Sequence, residues 1–181
     1  HMNRWWVMTP VNWSCVCCKR TKAEIVRLNK NNYLTCQLHE HHDHMKDVVK
    51  ELFEKYSIQK DHIVADELSE KFAIKAAFYL SAYDNTVICF DCNKADADAK
   101  KIVKAHNYFS FSPKEISEFV ISSPNTEHKI NEEIEAYNPF LLNLDPKPEM
   151  RLPEKSDNVE VTYFILPHIS EIVKENYDKT V

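Results

Sequence analysis

Four histidines, His39, His41, His42 and His44, crowd around Asp43 in the stretch TCQLHEHHDHM, Thr35 to Met45. An imidazole with its ordinary pKa of about 6.5 can take a proton from water near neutral pH. A carboxylate, with an amide oxygen beside it, suits a hard divalent ion such as Mg2+ or Mn2+. Zinc hydrolases that ligate through histidine typically place two of them at i and i+4 on a helix. This stretch reads instead as the end of a strand, so direct zinc ligation by the histidines ranks last among its uses.

A second chemistry lies in the six cysteines, Cys15, Cys17, Cys18, Cys36, Cys89 and Cys92. CVCC (Cys15-x-x-Cys18) and CFDC (Cys89-x-x-Cys92) each have the spacing of a metal knuckle, and two knuckles complete a tetrahedral four-sulfur zinc site. Such a site is structural, with no position left for chemistry. Cys17 could replace Cys15 or Cys18 in a slipped register but has no CxxC partner of its own. Cys36 reads as a buried strand thiol. The bland alternative is that Cys89 and Cys92 are unligated core cysteines. No secretory signal is apparent, which argues against a disulfide framework.

The elements that must position these groups follow from periodicity. AEIVRLN and YLTCQLHEH, separated by the turn NKNN, read as a β-hairpin. Apolar residues at Val48, Val49, Leu52, Phe53 and Tyr56 predict a helix over about 46–57, and Leu68, Phe72, Ala76 and Tyr79 a second over about 66–83. These fill the long gap between the knuckles. TVICF is a short strand, and NKADADAKKIVKAH a helix beginning at or just after Asn93. Ser112, Pro113 and Glu115 form a capping-box start for another helix. From Ser122 prolines become dense, NLDPKPEMRLPEKSDN reads as a linker, VEVTYFIL as a strand and ISEIVKENY as a closing helix.

The chain of 181 residues contains no glycine. That excludes the Walker A loop and the dinucleotide fingerprint, and it leaves turns to Asn, Asp, Ser and Pro. Net charge is −5 overall. Residues 1–44 nevertheless carry six Lys/Arg against three Asp/Glu, while residues 122–181 carry six against twelve. The front of the chain therefore permits a basic nucleic-acid footprint and the tail does not. No apolar run approaches membrane length, and a cytoplasmic protein is the expectation.

In order, these pieces are CxxC, a hairpin ending in HHDH, CxxC, and Asn93 directly after the last cysteine. The pattern over about residues 15–105 resembles the HNH nucleases, in particular the zinc-containing subset that includes phage junction-resolving endonucleases. The resemblance implies an α+β fold: a ββα-metal nuclease core with a structural zinc on Cys15, Cys18, Cys89 and Cys92. The expected organisation is a nuclease domain spanning 1–121, with a helical insertion at about 45–84, and an α/β C-terminal extension over 122–181 of unknown role, which the resemblance does not cover. His44 would be the general base, with Asp43 and Asn93 holding a catalytic Mg2+ or Mn2+. Asn85 would orient the loop around His44, and His42 or His41 would contact the phosphate or the leaving group. Lys94, Lys100 and Lys101 would meet the DNA backbone. The implied activity is metal-dependent hydrolysis of DNA, with a homodimer favoured for duplex cleavage. The runner-up is a non-catalytic zinc-stabilised module that binds nucleic acid or protein. Two departures stand out: the first knuckle lacks the family's glycine, and the segment between the knuckles is much longer than in the compact motif.

Overall fold

In a computed structural model the described residues are 2–103, 105, 108–131, 134 and 169–181. In chain order the elements are α1 (Arg4–Met8), α2 (Lys22–Ile25), β1 (Arg27–Leu28), β2 (Leu34–Thr35), β3 (Leu38–His41), α3 (Met45–Gln59), α4 (Asp66–Leu80), β4 (Thr86–Cys89), α5 (Phe90–Ile102), α6 (Pro113–Phe119), β5 (Val120–Ile121) and β6 (Lys129–Ile130). A last helix, α7, covers 169–177. The architecture is α+β, with three small antiparallel sheets: β1–β2, β3–β4 and β5–β6. The chain divides into two compact units. One comprises residues 1–42, 85–104 and 110–137, and the other 43–84, 105–109 and 138–181.

The first unit is built on the β3–β4 pair, in register Leu38 with Cys89 and His41 with Thr86. β4 runs straight into α5. The sequence leads one to expect β2 and β3 as one strand. They are separate because Cys36 and Gln37 break the run, and β3 finds its partner in β4 rather than in β1. Cys36 is buried, 2% exposed, and bridges to Met2. The helix expected to begin at Asn93 begins at Phe90 instead. The Sγ of Cys89 accepts the N–H of Cys92 and so caps the first turn, which draws the start back three residues. α6 starts as its residues dictate: Ser112 and Glu115 satisfy each other's N–H groups behind Pro113.

Without glycine, the left-handed turn positions fall to Lys19, Asn32, Asp61 and Asn125, with φ between 54° and 62°. Asn and Asp tolerate this region, and Lys does so at a cost. Lys19 closes the first knuckle, its N–H donating to the Cys15 carbonyl at 2.8 Å. Asn125 donates its side-chain amide to the carbonyls of Ala23 and Val26, at 2.8 and 2.6 Å. The turn around Asn125 is thereby tied onto α2.

The second unit packs α3, α4 and α7 around Met45, Val48, Val49, Phe53, Ala73, Leu80, Ile169, Val173 and Tyr177. Phe53 lies 4.6 Å from the Phe72 ring and 4.8 Å from that of Tyr177, distances at which aromatic pairs attract beyond their buried area. The expected helices 46–57 and 66–83 are α3 and α4, and the closing helix is α7. The helical insertion is thus a unit with its own core, which the C-terminal helix completes. The expected linker and the VEVTYFIL strand lie outside the described residues.

Candidate metal centre

Cys15, Cys18, Cys89 and Cys92 converge in the first unit, their sulfurs all within 4.8 Å of one another. Cys15 and Cys92 are 3.7 Å apart and Cys18 and Cys89 3.8 Å. A tetrahedron with Zn–S bonds of about 2.3 Å has edges of about 3.8 Å, so the sulfurs already stand at zinc spacing. Backbone amides support them: the N–H of Cys89 points at the Cys15 sulfur at 3.4 Å, and that of Cys92 at the Cys89 sulfur at 3.4 Å. Cys15, Cys89 and Cys92 are fully buried. Cys17, though 3% exposed, is not one of the four.

Four crowded thiols cannot all ionise by themselves. Cys15 is drawn far below the ordinary thiol range by hydrogen bonds from Cys17, Cys18, Cys89 and Cys92. Cys92 is pushed far up, chiefly by its bond to Cys15, then by Cys17, Cys18 and Cys89, with burial adding to it. A divalent cation resolves that conflict, since each thiolate then binds the ion instead of competing for a proton. The donor set fits zinc.

Charged neighbours complete the centre. Asp91, 2% exposed, receives Arg20 at 2.6 Å and Arg27 at 2.7 Å. Arg20 also reaches the Cys89 sulfur at 3.6 Å and donates to the carbonyls of Thr126 and Ser123. Zinc with four thiolates carries about −2, and with Asp91 about −3, which two guanidinium groups largely offset. The Nε2 of His128 faces the same edge, 3.3 Å from Cys92 and 3.8 Å from Cys89. Its Nδ1 is buried with no hydrogen-bond partner among the described residues. Sequence reasoning missed all of these. Arg20 and His128 are 108 residues apart, and no spacing announces such a pair.

The histidine cluster divides. His41, 3% exposed, places Nε2 2.7 Å from the Phe111 carbonyl oxygen, and burial pushes its pKa down. The ring is therefore neutral, donates to that carbonyl and serves packing. His39 is half-buried beside Phe90, ring centres 5.7 Å apart, and burial lowers it too. His42 is half-buried. His44 stands at the N-cap of α3 with Nδ1 3.0 Å from an Asp47 carboxylate oxygen. Sequence reasoning passed over Asp47, although its i+3 spacing from His44 at a helix start could have flagged it.

Asp43 binds backbone with both oxygens, accepting from Met45 at 2.9 Å and from Ala82 at 3.0 Å. Asn93 is half-buried on the first turn of α5, in the other unit from Asp43 and His44. Asn85 is exposed just before β4. The three lysines expected to meet DNA all have carboxylate neighbours: Lys94 has Glu127 at 3.4 Å, Lys100 has Asp96 at 3.1 Å and Lys101 has Asp98 at 2.9 Å. Asp96, 5% exposed, also accepts the Phe111 N–H at 2.9 Å.

No family model, curated protein or solved structure matches this chain. Among the described residues no helix is long and apolar enough to cross a membrane. The fold and site define an α+β protein whose two distant knuckles meet in a cysteine cluster able to hold a structural metal such as zinc.

Proposed function

We propose that the chain is a metal-dependent endonuclease that hydrolyses DNA phosphodiester bonds, with His44 as general base. The observation that carries this reading is the His44–Asp47 pair at 3.0 Å. When Nδ1–H donates to Asp47, the lone pair resides on Nε2, the tautomer a base needs, and the carboxylate stabilises the imidazolium that forms. Water then loses its proton to Nε2 and attacks phosphorus. A new P–O bond forms, the P–O3′ bond breaks, and the 3′ oxygen takes a proton from solvent.

A divalent ion, Mg2+ or Mn2+, would neutralise the phosphate and the departing oxygen. The oxygens of Asp43 keep lone pairs beyond those given to Met45 and Ala82, and they are donors of the kind such an ion takes. The cysteine-bound zinc has no part in the chemistry and holds β4 and α5 in place.

The second reading, a non-catalytic zinc-stabilised binding module, is favoured by one observation: both Asp43 oxygens already accept backbone N–H groups. Supercoiled plasmid with Mg2+ or Mn2+ separates the two. The nuclease reading expects nicking by the wild type, a loss of about 100-fold or more in His44→Ala, and a smaller loss in Asp47→Asn. Zinc content should be equal in all three. Intact plasmid with wild type under both metals would leave the binding module as the function.

A further inference from the structure

We propose that the groove between the β1–β2 turn and the start of α5 binds a single nucleic-acid strand, with Glu127 as a built-in competitor for its phosphates. The groove lies wholly within the first unit and has a cavity volume of about 440 Å³. Arg27, Lys30 and Lys94 line it, against one carboxylate, Glu127. Two aromatic rings, Tyr33 and Phe90, stand in the same wall, and Tyr33 is 61% exposed.

That combination suits a strand. Cationic side chains follow the backbone phosphates, while aromatic faces stack on bases of any sequence. An acidic peptide would use the charges but has no need of the rings. The setting agrees, because residues 1–44 hold six Lys/Arg against three Asp/Glu in a chain of net charge −5.

Glu127 is the carboxylate in the groove lining. Its carboxylate lies 3.4 Å from Lys94 and 3.4 Å from Arg27, and its pKa is lowered, first by Lys94. It occupies the position a phosphate would take between those cations. Arg27 is held from behind by Asp91 at 2.7 Å, so its guanidinium is fixed in place rather than searching. A strand entering the groove displaces Glu127 from Lys94.

The proposal rests on the nuclease reading for its ligand, since the groove would guide the substrate strand. Its test does not depend on cleavage. Fluorescence anisotropy of a labelled oligodeoxynucleotide of about 12 nucleotides, without Mg2+ or Mn2+, measures binding alone. Lys30→Ala is expected to weaken binding and lower the salt slope by about one. Tyr33→Ala is expected to lose about fivefold or more. Glu127→Gln is expected to tighten binding by about threefold or more, the opposite sign. The changed side chains of Lys30, Tyr33 and Glu127 are solvent-exposed, and zinc content and melting temperature check that the variants fold.

Equal affinity in Lys30→Ala, Tyr33→Ala and wild type, or no gain in Glu127→Gln, would overturn the groove even if plasmid is nicked. Strand binding that follows these three signs, with plasmid left intact, would uphold the groove and remove the nuclease.

Discussion

His41 shows how one residue type can serve two ends within four positions. His44 faces a carboxylate at a helix start, whereas His41 is buried against a carbonyl and its pKa lies below the ordinary 6.5. The unfolded chain therefore binds that proton more readily than the folded one. Stability from His41 is complete above about pH 6.5 and shrinks as pH falls below it. His41→Leu should cost about 1–3 kcal/mol at pH 7, the penalty for a buried carbonyl that loses its donor. The gap between wild type and variant in chemical denaturation should narrow from pH 7 to pH 5, and a constant gap would contradict the assignment. At this scale the four cysteines that converge on the candidate metal centre were legible, because CxxC spacing is a local pattern. Arg20, Arg27, Asp91 and His128 were not, because the contacts of Asp91 with the two arginines span 64 and 71 residues and leave no period to read.

Among the elements, α3 and α4 were legible because an amphipathic stripe repeats every turn, and α6 because its capping box is contained in four residues. The strands were not. β1 and β2 are two residues long and β3 four, too short for alternation to distinguish one hairpin from two pairings. The start of α5 was misread for a chemical reason, since a cysteine sulfur serves as its cap and propensity rules do not count that acceptor. The helical stripe also identifies the keystone of the second unit. Phe53 is 0% exposed and touches the rings of Phe72 and Tyr177. Phe53→Ala should cost about 3–5 kcal/mol by leaving a cavity among α3, α4 and α7. Chemical denaturation followed by far-UV circular dichroism measures this, and a loss below about 1 kcal/mol would mean that Phe53 is not central to that core.

For the whole molecule, the class, α+β with two knuckles, was legible in the sequence. The segment expected as an insertion carries its own core, and the turn near residue 125 belongs with the first unit through Asn125 and Arg20. Such divisions depend on which distant surfaces pack, which local pattern does not encode. The first unit depends on one long-range closure: residues 15–18 meeting residues 89–92 across more than 70 positions, with sulfur spacings of 3.7 and 3.8 Å. The groove beside Phe90 needs that closure to hold. X-ray absorption on the purified protein, with elemental analysis, tests it most directly. About one zinc per chain, bound by four sulfurs at about 2.3 Å, is expected, with zinc lost in Cys92→Ser and retained in His44→Ala. A metal-free folded protein, or a zinc bound through the histidines, would contradict it.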